Sequence, residues 1–202
     1  MPITNETDLR ALYGEVSPRA AIKMIDHLDH HCRAFIAASP FMLLGTYDGE
    51  KLDVSPKGDP AGSVVVEDGG KAFLLADRPG NNRIDGLLNI LKDSNVAALF
   101  LIPGVRETLR INGTATIHAE PEMLDRCLVK GRRPITVTRI EVREAGLHCA
   151  KAFMRSGLWQ PDTWATERPI PSMGEMLVDH CGTTQDYEDA AKQEVRQTEA
   201  LY

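Results

Sequence analysis

The sequence lacks an excess of positive charge, a long apolar run and closely spaced cysteines. Its 202 residues include 23 Lys and Arg against 29 Asp and Glu, a net charge of −6. Because the acidic residues outnumber the basic ones, we expect no basic face that could neutralise many phosphates and therefore no nucleic-acid partner. No stretch approaches the roughly 20 apolar residues of a membrane span, and we expect no membrane partner. The N-terminus lacks signal-peptide features and the four cysteines form no CxxC pair, so we expect a cytoplasmic protein.

Two common ligand-binding patterns are also absent. No GxGxxG follows a predicted strand, which argues against a Rossmann-type dinucleotide site. His27 and His31 lie four residues apart on a predicted helix, but no Glu completes an HExxH arrangement, so we expect solvated histidines and no metal site. No internal repeat or low-complexity linker divides the chain, and we expect one domain over residues 1–202.

The apolar periodicity predicts a mainly β protein with helices at both ends. Residues 17–39 read as one helix, and short apolar or alternating segments then predict six or seven strands, several joined by hairpins such as that at Asp48–Gly49. A helix predicted over 82–92 connects two strands, with an apolar face formed by Ile84, Leu87, Leu88 and Leu91. Further helices are predicted over 148–159 and 187–202. The fold class is therefore α+β, an antiparallel barrel or sandwich with flanking helices.

The stretch DRPGNNR, residues 77–83, places arginines, asparagines and a glycine at the start of the connecting helix. The first turn of a helix leaves backbone N–H groups unpaired and has partial positive charge. Together with Arg83, Arg78 and the amides of Asn81 and Asn82, this turn could bind a phosphate. The alternative is structural: an asparagine caps the helix, Gly80 makes a turn and the arginines are solvated.

Two other segments have polar residues in strand patterns. In DVSPKGDPAG, residues 53–62, Ser55 and Lys57 would share one face of a strand, whose prolines indicate an edge or a bend. Such an irregular edge could bind a planar heterocycle, or it could be a surface loop. In ETLRINGTA, Arg110 alternates with apolar neighbours and faces either solvent or a polar interface.

Four blocks of the sequence resemble the pyridoxamine 5′-phosphate oxidase-related family of flavin-binding split barrels. They are SPKGDPAG, DRPGNNRIDGLLNILKD, VAALFLIPGVRETLRINGTATI and HCAKAFMRSGLW. The resemblance spans about residues 35–159. It implies a six-stranded antiparallel split β-barrel over about 35–145, a helical N-terminal segment over about 7–38 and a helical extension over about 146–202. It also implies a homodimer with FMN in two clefts at the interface.

The resemblance assigns roles to residues of this sequence. Ser55, Pro56 and Lys57 match the strand element that lines the flavin ring, and Asn81, Asn82 and Arg83 match the element that binds the phosphate. We include Arg78, Arg110 and Trp159 as further candidate cofactor-binding residues. Trp159, with Arg155 and Lys151, could cover the partner subunit's flavin or form an interface helix without a ligand role. The segment after the barrel does not match the residues that read the pyridoxamine substrate in the true oxidase.

The sequence therefore favours an FMN-dependent oxidoreductase acting on a small organic substrate, with no catalytic acid or base identified. The alternative is a binding protein on the same barrel that takes a deazaflavin or haem, or no cofactor. Haem requires an axial ligand, for which His118 and His148 are the candidates.

Overall fold

The structure, a computed structural model, describes residues 2–181. The helix predicted over 187–202 lies outside these residues. The described strands are β1 Phe41–Tyr47, β2 Leu52–Gly58, β3 Val65–Val66, β4 Ala72–Asp77, β5 Asn95–Leu101, β6 Thr108–His118 and β7 Thr136–His148. The α-helices are α1 Glu6–Tyr13, α2 Pro18–Ile22, α3 His30–Ala38, α4 Asp85–Lys92, α5 Pro121–Asp125, α6 Lys151–Ser156 and α7 Met173–Cys181, and short 3₁₀ turns span Asp68–Gly70 and Pro161–Thr163.

The strands form one antiparallel sheet in the order β2-β1-β5-β6-β7-β4-β3. The predicted α+β, mainly β, split-barrel fold is confirmed, with seven strands where the resemblance implied six. The seventh is the two-residue β3, which pairs only with β4 among the described strands. The Asp48–Gly49 hairpin is present, and Asp48 Oδ1 accepts the N–H groups of Glu50 and Lys51. β2 is an edge strand, which explains how it accommodates Pro56.

Ion pairs join the two ends of this sheet. β2 stands at one end of the strand order and β4 near the other, yet Lys57 Nζ lies 3.1 Å from Asp77 Oδ1. Just beyond these strands, Arg78 Nε lies 3.0 Å from Asp59 Oδ2. The sheet therefore curls until β2 and β4 approach each other. The gap between them, the split of the barrel, is bridged by charged side chains instead of by backbone strand pairing.

The core lies inside the curled sheet and beneath α3. Alternate residues of β1 and β5, including Met42, Leu44 and Phe100, are buried there. Phe100 meets Phe73 of β4 edge to face, with ring centroids 5.7 Å apart. The alternation in β1 and β5 is the pattern expected of strands that cover a core on one face. Strand β4 is buried on both faces, and Leu74 belongs to a second, smaller apolar cluster with Cys127 and Val137.

The prediction of one helix over 17–39 is wrong. The segment forms α2 and α3, and between them Ile25 makes a β-bridge with Ala145 of β7. Asp29 then starts α3 as its N-cap, with Oδ1 accepting the N–H of Cys32 at 2.8 Å. The helix breaks because the backbone of Ile25 hydrogen-bonds to the sheet, a long-range contact that periodicity cannot reveal.

Two other helix boundaries also differ from the predictions. α4 begins at Asp85, three residues later than expected, and α6 begins at Lys151 because β7 continues to His148. The predicted apolar stripe of α4 does not face the core: Ile84, Leu88 and Leu91 are exposed, whereas Asn89 and Ile90 are buried. Asn89 Nδ2 donates to Thr46 Oγ1 of β1 at 3.1 Å, so a polar contact helps to anchor this helix on the sheet. Among the described residues, no helix combines the length and apolar character needed to cross a bilayer.

Candidate functional site: a polar cleft beside helix α4

A polar cleft of about 670 Å³ opens where β2, the end of β4 and the start of α4 meet. Its volume lies within the range of ordinary small-molecule sites. Most of the predicted cofactor residues border it: Ser55, Lys57, Arg78, Asn81, Asn82 and Arg83. The structure therefore brings Ser55 and Lys57 together with the segment 81–83, which the resemblance assigned to the same ligand.

The register of β2 sets which of its residues face the cleft. Ser55 and Lys57 stand opposite Leu44 and Met42 of β1, whose side chains are buried inside the barrel. Ser55 and Lys57 therefore lie on the inner face of β2, as their alternate spacing predicted. Pro56 lies on the opposite face of β2 and borders an adjacent cavity of about 210 Å³ instead.

The loop before α4 has an unusual backbone. Asn82 and Ile84 have positive φ angles of 59° and 49°, the left-handed region, which is rare for a β-branched residue such as Ile. Ile84 is the N-cap of α4 and makes no side-chain capping bond. Asn81 Oδ1 accepts the N–H of Arg83 at 3.1 Å, within the loop. The part of the structural alternative in which an asparagine caps this helix is therefore wrong, although Arg83 is exposed to solvent as that alternative expected. The strained loop is of the kind that clusters at ligand sites.

The cations of the cleft all have carboxylate neighbours, but their surroundings differ. Arg83 pairs with Asp85 at 2.9 Å with a side chain that is 71% exposed, so the pair is weak and easily exchanged. Arg78 is 12% exposed in its pair with Asp59, and its Nη2 also donates to the backbone carbonyl of Cys127. Arg78 therefore serves mainly to fasten the split of the barrel, whereas Arg83 is available to an incoming anion.

Two hydroxyl groups in the cleft lack a partner. Ser55 Oγ and Thr136 Oγ1 are buried and make no hydrogen bond within the described residues. Both residues border the cleft. A buried hydroxyl without a partner costs free energy, so such groups usually face a ligand or water. A flavin ring, which is rimmed by donors and acceptors, fits this arrangement.

Sequence reasoning missed Thr136. It is the first residue of β7, and it reaches the cleft because Thr136 pairs with Asp77 at the end of β4. The sequence signal was only the alternation of the strand TVTRIEVREA, which does not show what its first residue adjoins. The pairing of β7 with β4 is a contact between residues far apart in sequence.

Arg110 and Trp159 lie outside this cleft in the single chain. Arg110 borders a separate cavity beside α6. Trp159 Nε1 donates to the backbone carbonyl of Val105 at 2.8 Å, and its ring stacks on Phe153 with centroids 5.7 Å apart. Trp159 thus holds the segment after β7 against the loop between β5 and β6.

Solved structures similar to this chain include several bacterial proteins. A Group A Streptococcus HupZ structure is 20% identical and covers 58% of this chain and 90% of its own, with a TM-score of 0.46. A putative pyridoxamine 5′-phosphate oxidase from Lactobacillus delbrueckii is 19% identical, with 60% and 94% covered and a TM-score of 0.47. A conserved hypothetical protein from Mycobacterium tuberculosis is 15% identical, with 73% and 96% covered and a TM-score of 0.45.

The family of this chain is shown by its sequence. No curated protein sequence matches the chain. The family model described as pyridoxamine 5′-phosphate oxidase matches residues 28–149, more than half of the sequence. The matched segment runs from just before α3 to just after β7 and so includes the whole curled sheet with the cleft. The chain belongs to the pyridoxamine 5′-phosphate oxidase family.

Proposed function

We propose that this protein is an FMN-dependent oxidoreductase that acts as a cytoplasmic homodimer on a small organic substrate. The observation that supports the cofactor most strongly is the pair of buried, unpartnered hydroxyls of Ser55 and Thr136 in a cleft that also contains exposed Arg83. An apolar ligand would leave both hydroxyls unsatisfied. A ligand with a polar ring and an anionic end matches both features.

The two ends of the cleft suit the two ends of FMN. The phosphate would be bound by Arg83, by Asn81 and Asn82, and by the first N–H groups of α4. On binding, it would displace the exposed carboxylate of Asp85 from Arg83. Ser55, Thr136 and Lys57 would face the ring system. When bound, the flavin supplies the redox chemistry, and the protein positions it and tunes its potential through these contacts. The residues of this chain need only bind and orient, so we assign none as a general acid or base.

An exposed apolar face supports the homodimer. Leu52 and Val54 of β2 are 75% and 64% exposed. Gly45 of β1 pairs with Val54 on one side and with Ala97 of β5 on the other. These four residues border a largely apolar groove of about 490 Å³ on the outside of the sheet. A sheet face of this kind is rarely left open to water in a monomer. In the proposed dimer, Arg110 and Trp159 would reach a cofactor only across the interface.

The free cysteines support the proposed cytoplasmic location. Cys32, Cys127 and Cys149 are free thiols in the part of the chain that the structure describes, which suits a reducing compartment. Burial raises the pKa of Cys32 to about 11 and also raises that of Cys127, so both are inert structural thiols.

The cofactor proposal is tested by the affinity for FMN of an Arg83→Ala variant, measured by the quenching of flavin fluorescence. A charge-assisted contact contributes about 1.5–3 kcal/mol, so we expect affinity to fall at least about tenfold. The matched control is Arg132→Ala. Arg132 is an exposed residue of the loop between α5 and β7 and does not border the cleft. Equal affinities for FMN in the wild type and the Arg83→Ala variant would overturn the assignment of the phosphate site.

A further inference from the structure

A second cavity with a cationic lining lies at the opposite end of β7 from the cleft. It measures about 480 Å³ and is bordered by Arg110, His148, Lys151 and Arg155 around the apolar side chains of Leu99 and Phe153. None of its lining residues borders the polar cleft beside α4. We call it the α6 cavity. Four basic side chains around one cavity are unexpected in a chain with a net charge of −6.

The sheet brings the two central residues of this cluster together. On β6, Thr108 pairs with His148 and Arg110 pairs with Gly146 of β7. Arg110 and His148 are therefore diagonal neighbours on adjacent strands, and long side chains at such positions reach each other. Lys151 and Arg155 lie four residues apart on α6, one turn of the helix, and so share one of its faces.

The nitrogen atoms at the centre of the cavity lack partners. Arg110 Nε and His148 Nε2 are buried and make no hydrogen bond within residues 2–181. Glu144 Oε1 does lie 3.4 Å from Arg110 Nη2, but it also accepts a shorter bond of 2.6 Å from Asn112 Nδ2. The long contact with Glu144 does not involve Arg110 Nε or His148 Nε2, and a bound anion would remove the cost of leaving these two buried nitrogen atoms unpaired.

The electrostatics of His148 agree with this geometry. Burial lowers the pKa of His148, and the positive charges of Arg110 and Lys23 lower it further. The imidazole thus lies where the protein makes the local potential positive. An anion in the cavity would offset the same charges that act on His148.

We infer that the α6 cavity binds the carboxylate or phosphate group of a small organic anion, with Arg110 and His148 as hydrogen-bond donors and Lys151 and Arg155 as counter-charges. Leu99 and Phe153 provide apolar walls for the body of the ligand. The inference goes beyond the proposed flavin site, since it concerns a different cavity of the same chain. It rests on the proposed function in one respect, because the proposed dimer would also bring Arg110 toward the partner's cofactor, and titration with and without FMN separates the two roles.

The test is calorimetric titration of the full chain with two probes, inorganic phosphate and benzoate, both with and without FMN. We expect at least one probe to bind with a Kd of about 1 mM or tighter. Preference for phosphate identifies a phosphorylated ligand, and preference for benzoate identifies a carboxylate with an apolar body. If neither probe binds, the inference is wrong.

Two variants locate the site. Arg110→Met removes the buried Nε donor together with the charge of a half-exposed side chain. The double variant Lys151→Gln with Arg155→Gln changes only exposed side chains, which keeps the test valid if the first variant folds poorly. Each should weaken probe binding at least about tenfold, because charge-assisted contacts are lost. The control Arg132→Gln should stay within about twofold, since an exposed single charge outside the site contributes little. If the double variant instead weakens FMN and leaves the probes unaffected, these cations belong to the cofactor site and a separate anion site is refuted.

Discussion

The unpartnered hydroxyl of Thr136 makes an unusual prediction about stability. Replacing Thr136 with Val removes the Oγ1 atom while largely keeping the shape of the side chain. Because this hydroxyl has no hydrogen-bond partner in the described part of the protein, its loss breaks no internal contact. Leaving a polar group buried and unpaired costs about 1–3 kcal/mol, and we adopt the lower end of this range. We therefore expect the cofactor-free Thr136→Val variant to gain about 1 kcal/mol.

For a protein of this size, 1 kcal/mol raises the melting temperature by about 2–4 °C. The same substitution should weaken FMN binding, because it removes a neutral hydrogen bond worth about 0.5–1.5 kcal/mol, or about 2- to 13-fold in affinity. Gain of stability with loss of affinity is the pattern expected of a group positioned for a ligand. Both quantities can be measured on one preparation, by calorimetry without cofactor and by flavin fluorescence.

The matched control is Thr46→Val. The Thr46 hydroxyl is also buried, but it accepts a hydrogen bond from Asn89 Nδ2. Its removal leaves a buried amide without an acceptor and should destabilise the protein by about 1–3 kcal/mol. If Thr136→Val lowers the melting temperature as much as Thr46→Val does, the hydroxyl of Thr136 has a structural partner and the reasoning fails.

Three further predictions concern stability and assembly. Burial acts to raise the pKa of Glu67, but hydrogen bonds from two arginines hold it below its ordinary value, so its stabilising effect is present above about pH 4.5 and is lost as the pH falls further. Glu67→Gln should therefore lower stability by about 1.5–3 kcal/mol at pH 7, and acid titration of both proteins should show the difference shrinking below pH 4.5. Gly113→Ala should cost about 3 kcal/mol or more by denaturant titration, because a Cβ there would lie 2.0 Å from the backbone oxygen of Glu141 at a bulge; a cost under about 1 kcal/mol would contradict the packing. Val54→Glu should convert the proposed dimer to a monomer, as measured by light scattering, and a wild-type protein that is already monomeric would refute the proposed interface.

Much of the fold follows from local patterns. The hairpin at Asp48 and the shared face of Ser55 and Lys57 on β2 were predicted because they depend on turn chemistry and on a period of two. The edge position of β2 was one of the alternatives that its prolines indicated. The helical break around Ile25 and the late start of α4 were not predicted. Both result from tertiary contacts: a bridge from Ile25 to β7, and a left-handed backbone at Ile84.

Most residues of the candidate site were predicted from the sequence, but not all of them. Ser55, Lys57 and Arg83 were found because polar residues interrupt a strand and open a helix, and the structure brings them to one cleft. Thr136 was missed because its position depends on which strands pair. The role expected of Arg78 has changed for a similar reason, since its partner Asp59 lies on the far side of the split. The sequence indicated which side chains could bind a ligand, but not which residues contact one another in the folded chain.

The central claim is that the cleft beside α4 binds FMN. The most direct measurement is the absorbance spectrum of the purified protein, with any released chromophore identified by mass, and with FMN added if the protein is colourless. We expect flavin bands and the mass of FMN, or uptake of added FMN that depends on Arg83. A protein that is colourless and does not bind FMN, or one that releases haem or a deazaflavin instead, would contradict it.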